Sequence, residues 1–167
     1  MKKIQFLVVL YFLILSTNLK AQDVRFAVNV KSDISAMADD GFNFGFNVEY
    51  QMTLFYFRAG FFAFPDLRGK DYLDITGTPL GFNVHLGEHK KLRLSTGLVL
   101  GLIIRDKGPH PLVGNEHYFE WYPNGTSNGV YFGLGGNLLY RTDGKVWDND
   151  IEPYWRYSSS IKMGLTF

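Results

Sequence analysis

Eight charged residues sit among small and polar neighbours in stretches that alternate with large apolar residues: Arg25, Arg58, Arg93, Arg156 and Lys162, with Glu49, Glu116 and Glu120. If alternation carries these eight to one enclosed face, their chemistry is that of charges sealed from water. They can neutralise one another as a plug of ion pairs and hydrogen bonds, because an unpaired buried ion is very costly. They can instead form a gated ion path, and the plug is the simpler reading. The remaining reactive side chains give weaker signals. His85, His89, His110 and His117 show no metal-ligand spacing, and His85, on the same face as the charges, reads as a hydrogen-bonded residue. Asp148, Asp150 and Glu152 lack the glycine and ligand pattern of a dedicated calcium loop and read as a solvated acidic segment. Ser158 to Ser160, with His117 and Glu116, are the one loose set for nucleophilic catalysis, which needs nucleophile, base and orienter within hydrogen-bond reach. Nothing in their spacing brings them together. No cofactor motif and no metal site are read from the chain, and with no cysteine there is neither thiolate chemistry nor a disulfide framework.

The elements that would position these residues are strands. From Trp155 to Phe167 the odd positions are mostly apolar (Trp155, Tyr157, Ile161, Met163, Leu165, Phe167), whereas the even ones are small or charged. A period of two over that length is a strand with two unlike faces. The same rule gives strands over 24–31, 42–50, 54–64, 72–86, 92–105, 112–122 and 130–141. In the fifth, Leu92, Leu94, Leu98, Leu100, Leu102 and Ile104 oppose Arg93, Ser95, Gly97, Gly101 and Arg105. The third is aromatic on both faces; placing Phe55, Phe57, Ala59 and Phe61 outward sends Arg58 inward. In the fourth, Leu80 to Leu86 fix the phase, which puts Asp74 on the outward parity. In the sixth, Asn115 and His117 interrupt an apolar face otherwise made by Val113, Phe119 and Trp121. Asp106 to Pro111 reads as a loop by its charges and prolines, and Pro123 to Gly129 as a strong turn.

Met-Lys-Lys, an apolar run from Phe6 to Leu15 and a small residue at Ala21 have the pattern of a secretory signal peptide, 1–21, ahead of a single domain, 22–167. The apolar run is shorter than the roughly 20 residues a membrane helix needs, and no later run approaches that length. Losing Lys2, Lys3 and Lys20 turns a net charge of +1 slightly negative, and no basic patch points to nucleic acid. With 15 Phe, 10 Tyr, 3 Trp and 18 Gly, the chain is rich in what one-sided strands require.

Volume decides which face turns inward. The interior of an eight-stranded barrel is just wide enough for side chains to fill; the Gly, Asn, Ser and few long charges of one face fit there, and the Phe, Leu, Val and Trp of the other do not. Polar-in and apolar-out is the bilayer arrangement, in which a closed barrel pairs every backbone group. The expectation is an all-β, eight-stranded, antiparallel up-and-down transmembrane β-barrel. Aromatic girdles are expected from Tyr50, Phe55, Trp121 and Phe167 at one end and Phe42, Phe64, Tyr140 and Trp155 at the other.

The last strand, ending on Phe167 with Leu165, Met163 and Ile161 on its apolar face, resembles the C-terminal signal strand of Gram-negative outer-membrane barrels. With the leader and the eight strands, the whole of 22–167 looks like the small barrels typified by OmpA's membrane domain and OmpX. That resemblance implies a porin-like fold in the outer membrane of a Gram-negative cell envelope, in contact with lipid and lipopolysaccharide and inserted by the barrel assembly machinery. It implies no catalytic residue. The resulting reading is a non-enzymatic barrel whose four outer loops do any recognition. Two alternatives remain, a lipid A-modifying outer-membrane enzyme and a soluble, secreted, lipocalin-like barrel with an apolar cavity.

Overall fold

Strands with one apolar and one polar face leave unpaired N–H and C=O groups on two edges until both edges find partners. In the structure, a computed structural model that describes residues 24–35, 42–65, 72–105, 108–125, 129–144 and 153–167, the sheet meets this demand by closing on itself. The strands are β1 (Arg25–Asp33), β2 (Phe44–Gln51), β3 (Phe55–Phe64), β4 (Tyr72–Leu86), β5 (Leu92–Arg105), β6 (Gly108–Trp121), β7 (Gly129–Arg141) and β8 (Tyr154–Thr166). Each pairs antiparallel with its neighbour in sequence. β8 then pairs with β1 from Ala27–Thr166 to Asp33–Ser160, and the Phe167 N–H donates to the Phe26 carbonyl at 2.8 Å. The eight-stranded antiparallel barrel expected from alternation is the fold.

Its burial is inverted relative to a water-soluble protein. Arg93, Glu49 and Glu120 are 0% exposed, while Leu134, Trp155 and Phe167 are 58–63% exposed. β3 takes the expected phase: Phe57 and Ala59 point out, and Tyr56 and Arg58 are buried. Phe64 does not join the outer girdle. It turns into the lumen, its ring 4.9 Å from Phe62 and 5.4 Å from Tyr72, in an apolar layer with Val99, Ile103, Leu112 and Leu139 that the polar-interior expectation did not include.

Two expectations fail for backbone reasons. Asp74 is buried, not outward. β4 carries one extra residue between Gly77 and Leu80 relative to both β3 and β5, so its parity reverses there. Pro79, which cannot donate to a ladder, marks that bulge. The segment expected as a loop over 106–111 is mostly strand, since β6 begins at Gly108 and pairs with β5 from Arg105–Gly108 onward. β7 joins β6 only from Leu112. Thr142 Oγ1 donates to the Pro111 carbonyl at 2.9 Å, so that residue, and Pro109 at the same parity, turns its backbone toward the β7 side. There the missing N–H of proline leaves no ladder bond unmade. The connection after β5 is thus 106–107, much shorter than the other three at that end.

Gly81 and Gly97 make room in the lumen for one ring. A Cβ at Gly81 would overlap the Tyr56 ring, and one at Gly97 would lie 2.6 Å from the Tyr56 hydroxyl. Gly81→Val should therefore lower stability by about 1–3 kcal/mol. Gly77→Ala, whose Cβ meets only the Arg58 carbonyl at 3.7 Å, should stay within about 0.5 kcal/mol of the native protein. Urea unfolding of the refolded barrel, followed by tryptophan fluorescence, checks both.

Candidate functional site

Alternation sends Glu49, Arg58, Arg93, Glu116, Glu120 and Lys162 into the half of the lumen that holds the chain termini, and register then pairs them. Glu49 lies opposite Arg58 on β2 and β3, and Arg93 opposite Glu120 on β5 and β6. Arg58 Nε donates to Glu49 Oε2 at 2.8 Å, and Arg93 Nη1 to Glu120 Oε2 at 2.7 Å. The remaining links cross the lumen. Arg58 Nη1 is 2.6 Å from Glu116 Oε2, and Arg93 Nη1 is 2.6 Å from Glu49 Oε1, an ion pair without hydrogen-bond alignment. Lys162 Nζ closes on Glu120 Oε1. To reach it from β8, the lysine passes over Gly133 of β7, where a Cβ would lie 2.7 Å from its Cε. The result is one line of alternating sign: Glu116, Arg58, Glu49, Arg93, Glu120, Lys162.

Neutral groups complete the line. Tyr56 and Thr78 both donate to Glu116 Oε1 at 2.8 Å; Tyr122 donates to Glu120 Oε2 at 2.8 Å, and Arg93 Nε to Asn83 Oδ1 at 2.8 Å. The Arg58 guanidinium also lies over the rings of Tyr56 and Tyr118, at 4.9 and 5.3 Å, and the Lys162 ammonium lies 4.0 Å over Tyr118. Cation–π contacts of this kind strengthen when desolvated. Chemically, the arrangement is a neutralised plug with no open coordination position.

A second cluster, at the opposite end, was not assembled by sequence reasoning. Arg141 grips Asp74 with both Nη atoms, at 2.7 and 3.1 Å, and reaches Asp143 through Nε at 3.2 Å. It also donates to the Tyr72 hydroxyl, which donates to Asp143. Arg105 caps the group, Nη1 donating to the Asp143 carbonyl at 2.6 Å. Burial alone would raise the pKa of Asp143, just past β7; the Arg141 guanidinium and the hydrogen bonds from Arg141 and Tyr72 outweigh it and hold the carboxyl below its ordinary range. Parity puts Arg105 and Arg141 inward, but the β4 bulge hid Asp74. Its one signal is the Thr-Pro pair at 78–79 within an otherwise regular strand. Between the two clusters, the cavity bordered by Lys31, Asp74, Asn137 and Arg141 holds only about 30 Å³, room for about one water molecule.

The other sequence candidates are dispersed. Arg25 is half-buried at the start of β1. Arg156 lies 3.5 Å from Asp33 and over the Phe64 ring, apart from the central line. His85 faces inward and is half-buried, and its Nε2 has no hydrogen-bond partner among the described residues. Glu116 and His117 alternate to opposite faces, one buried and one exposed; Ser158 and Ser160 point inward two strands away, and Ser159 shares the face of His117 but lies beyond Gly136 on β8, also two strands away. The loose serine, histidine and carboxylate set therefore does not converge. The lumen holds charges and tyrosines where a lipocalin-like barrel would hold an apolar cavity. Asp148, Asp150 and Glu152, and the leader 1–21, lie outside the described residues.

No protein-family model matches the sequence, and no curated protein matches it. Among solved structures, the chain superposes on the crystal structure of the N-terminal β-barrel domain of Pseudomonas aeruginosa OprF with a TM-score of 0.51. The match covers 86% of this chain and 96% of that one at 13% identity. This chain has the fold of the OmpA/OmpX-type outer-membrane barrels. At that identity the OmpA-type likeness concerns the backbone alone, and the roles of individual side chains rest on the contacts above.

Removing one member of the line leaves buried charge uncompensated, which typically costs about 3–5 kcal/mol. Glu120→Gln should destabilise the barrel on that scale, because it faces both Arg93 and Lys162. Adding Lys162→Met should recover part of the loss, since one stranded charge is then gone. Urea unfolding of the single and double variants measures the difference.

Proposed function

We propose that the chain is a non-enzymatic, integral outer-membrane protein whose filled barrel anchors surface-exposed loops for recognition or envelope structure. The observation that carries the reading is the inverted burial: charges at 0% exposure inside a closed barrel, and a belt of large apolar side chains outside it. In water such a belt would aggregate; in a bilayer it is the required surface. Outward side chains on β5 run from Leu92 to Ile104, long enough to span the roughly 9–11 residues that a tilted membrane strand needs.

Several parts of the reading follow from position. Residues 1–21 act as a signal peptide, cleaved after Ala21. Phe167, Leu165, Met163 and Ile161 serve as the signal read by the barrel assembly machinery. The segments 34–43, 65–71 and 142–153 face outward from the cell, against lipopolysaccharide and whatever partner they recognise, while the termini remain periplasmic. Non-enzymatic character is supported by the separation of Ser158, Ser159 and Ser160 on β8 from His117 and Glu116 on β6, and a closed lumen by the charge line that crosses it.

Heat modifiability tests the reading. Protein extracted from membranes in detergent should run on a gel at a different apparent size unboiled than boiled, with a β-rich far-ultraviolet spectrum. A mature chain that is monomeric and soluble without detergent would contradict it. Expression should also leave the lipid A mass spectrum unchanged; a new lipid A species would favour the enzyme alternative.

A further inference from the structure

The outward face of β6 breaks the apolar rule where breaking it is most costly. Its outward series runs Trp121, Phe119, His117, Asn115, Val113, Pro111, and roughly 9–11 residues cross the hydrocarbon, so Asn115 and His117 fall near the middle. Both are exposed, and neither makes a side-chain hydrogen bond or ion pair among the described residues. The neighbours of His117 extend the break. Across the ladder from His117 lie Thr96 on β5 and Gly136 on β7, and beyond Gly136 lies Ser159 on β8. At the level of His117 the register thus draws a row of polar and small residues, Gly136 among them buried, through a surface that is mostly large and apolar, and Asn115 interrupts the next level between Leu98 and Leu138. Beside it, a shallow groove of about 430 Å³ runs between Phe82, Leu94, Phe119 and Leu134.

Given the membrane reading above, on which this step rests, we propose that this row is a lateral interface with a second copy of the same chain. Polar side chains facing hydrocarbon have no water to bond, so they gain by bonding each other. An amide and a neutral imidazole each carry both a donor and an acceptor, so Asn115 and His117 can each satisfy an identical group. Copies inserted by one route share one orientation in the membrane. They can oppose the same face only across a two-fold axis along the membrane normal, and such an interface is isologous. β6 then meets β6, Asn115 and His117 of one copy bond those of the other, and the groove receives the partner's apolar side chains.

The absence of cysteine allows a direct test in liposomes. Val113→Cys, outward on β6, should give disulfide-linked dimers under mild oxidation, whereas Val48→Cys, outward on β2, should not. Adding Asn115→Leu and His117→Leu to Val113→Cys should lower the dimer yield on the order of tenfold, as the loss of a few such hydrogen bonds implies. These leucines suit the lipid face, so the variant should still insert and shift on heating. Equal yields from the two cysteines, or a yield indifferent to the leucines, would overturn the interface and leave the row as a lipid contact. Failure of every form to float with liposomes would instead count against the membrane reading itself.

Discussion

One line of charge ties the barrel together. Arg93 and Arg58 each hold two carboxylates, and the links from Arg93 to Glu49 and from Arg58 to Glu116 join strands that the backbone ladder does not pair. Strand number and stagger set the diameter of a barrel, and contacts across the lumen brace it against flattening. In a space closed to water those contacts must also cancel charge, since a stranded ion there is far more costly than at a surface. The small residues follow from the same constraint. Gly133 lets Lys162 pass to Glu120, and Gly81 and Gly97 clear the space where the Tyr56 ring braces both arginines.

The apolar exterior is the other half of that arrangement. A chain that places its charges inside has nowhere to put its leucines and phenylalanines but outside, and closure into eight strands removes every edge that could pair with another chain. Aromatic pairs across strands, such as Phe55 with Phe82 at 5.3 Å and Tyr140 with Trp155 at 5.3 Å, lie near opposite ends of the apolar belt. The termini sit at one end with the connections 52–54, 87–91 and 122–128, and two of the four connections at the other end, 34–43 and 142–153, are longer than any of these.

Much of this architecture is legible in the sequence because a period of two is a local signal. Strands β4 and β5 match the alternation residue for residue at their bounds, and even the two-sided β3 takes the phase set by Arg58. What is not legible is anything that depends on a shift of phase or on contact across the lumen. The single extra residue at Thr78–Pro79 reverses half of β4, and with it the fate of Asp74 and the assembly of Arg141, Asp143 and Tyr72. Pro109 and Pro111 argue locally for a loop, yet they sit on a stretch of β6 that lacks a β7 partner, a condition visible only once register is known. Likewise, parity can place Glu49 and Arg93 on one face, but it cannot say that strands three apart will meet.

The central claim is that the wall separates hydrocarbon outside from a dry, charge-balanced interior, and spin-label accessibility measures that directly. Single cysteines placed along β5 from 94 to 103, each carrying a nitroxide, can be read in liposomes for collision with oxygen and with a water-soluble nickel chelate. The account predicts high oxygen and low nickel accessibility at Leu94, Leu98, Leu100 and Leu102, with Ser95, Val99 and Ile103 shielded from both. Nickel accessibility at the leucine positions would contradict it, because the apolar belt would then face water.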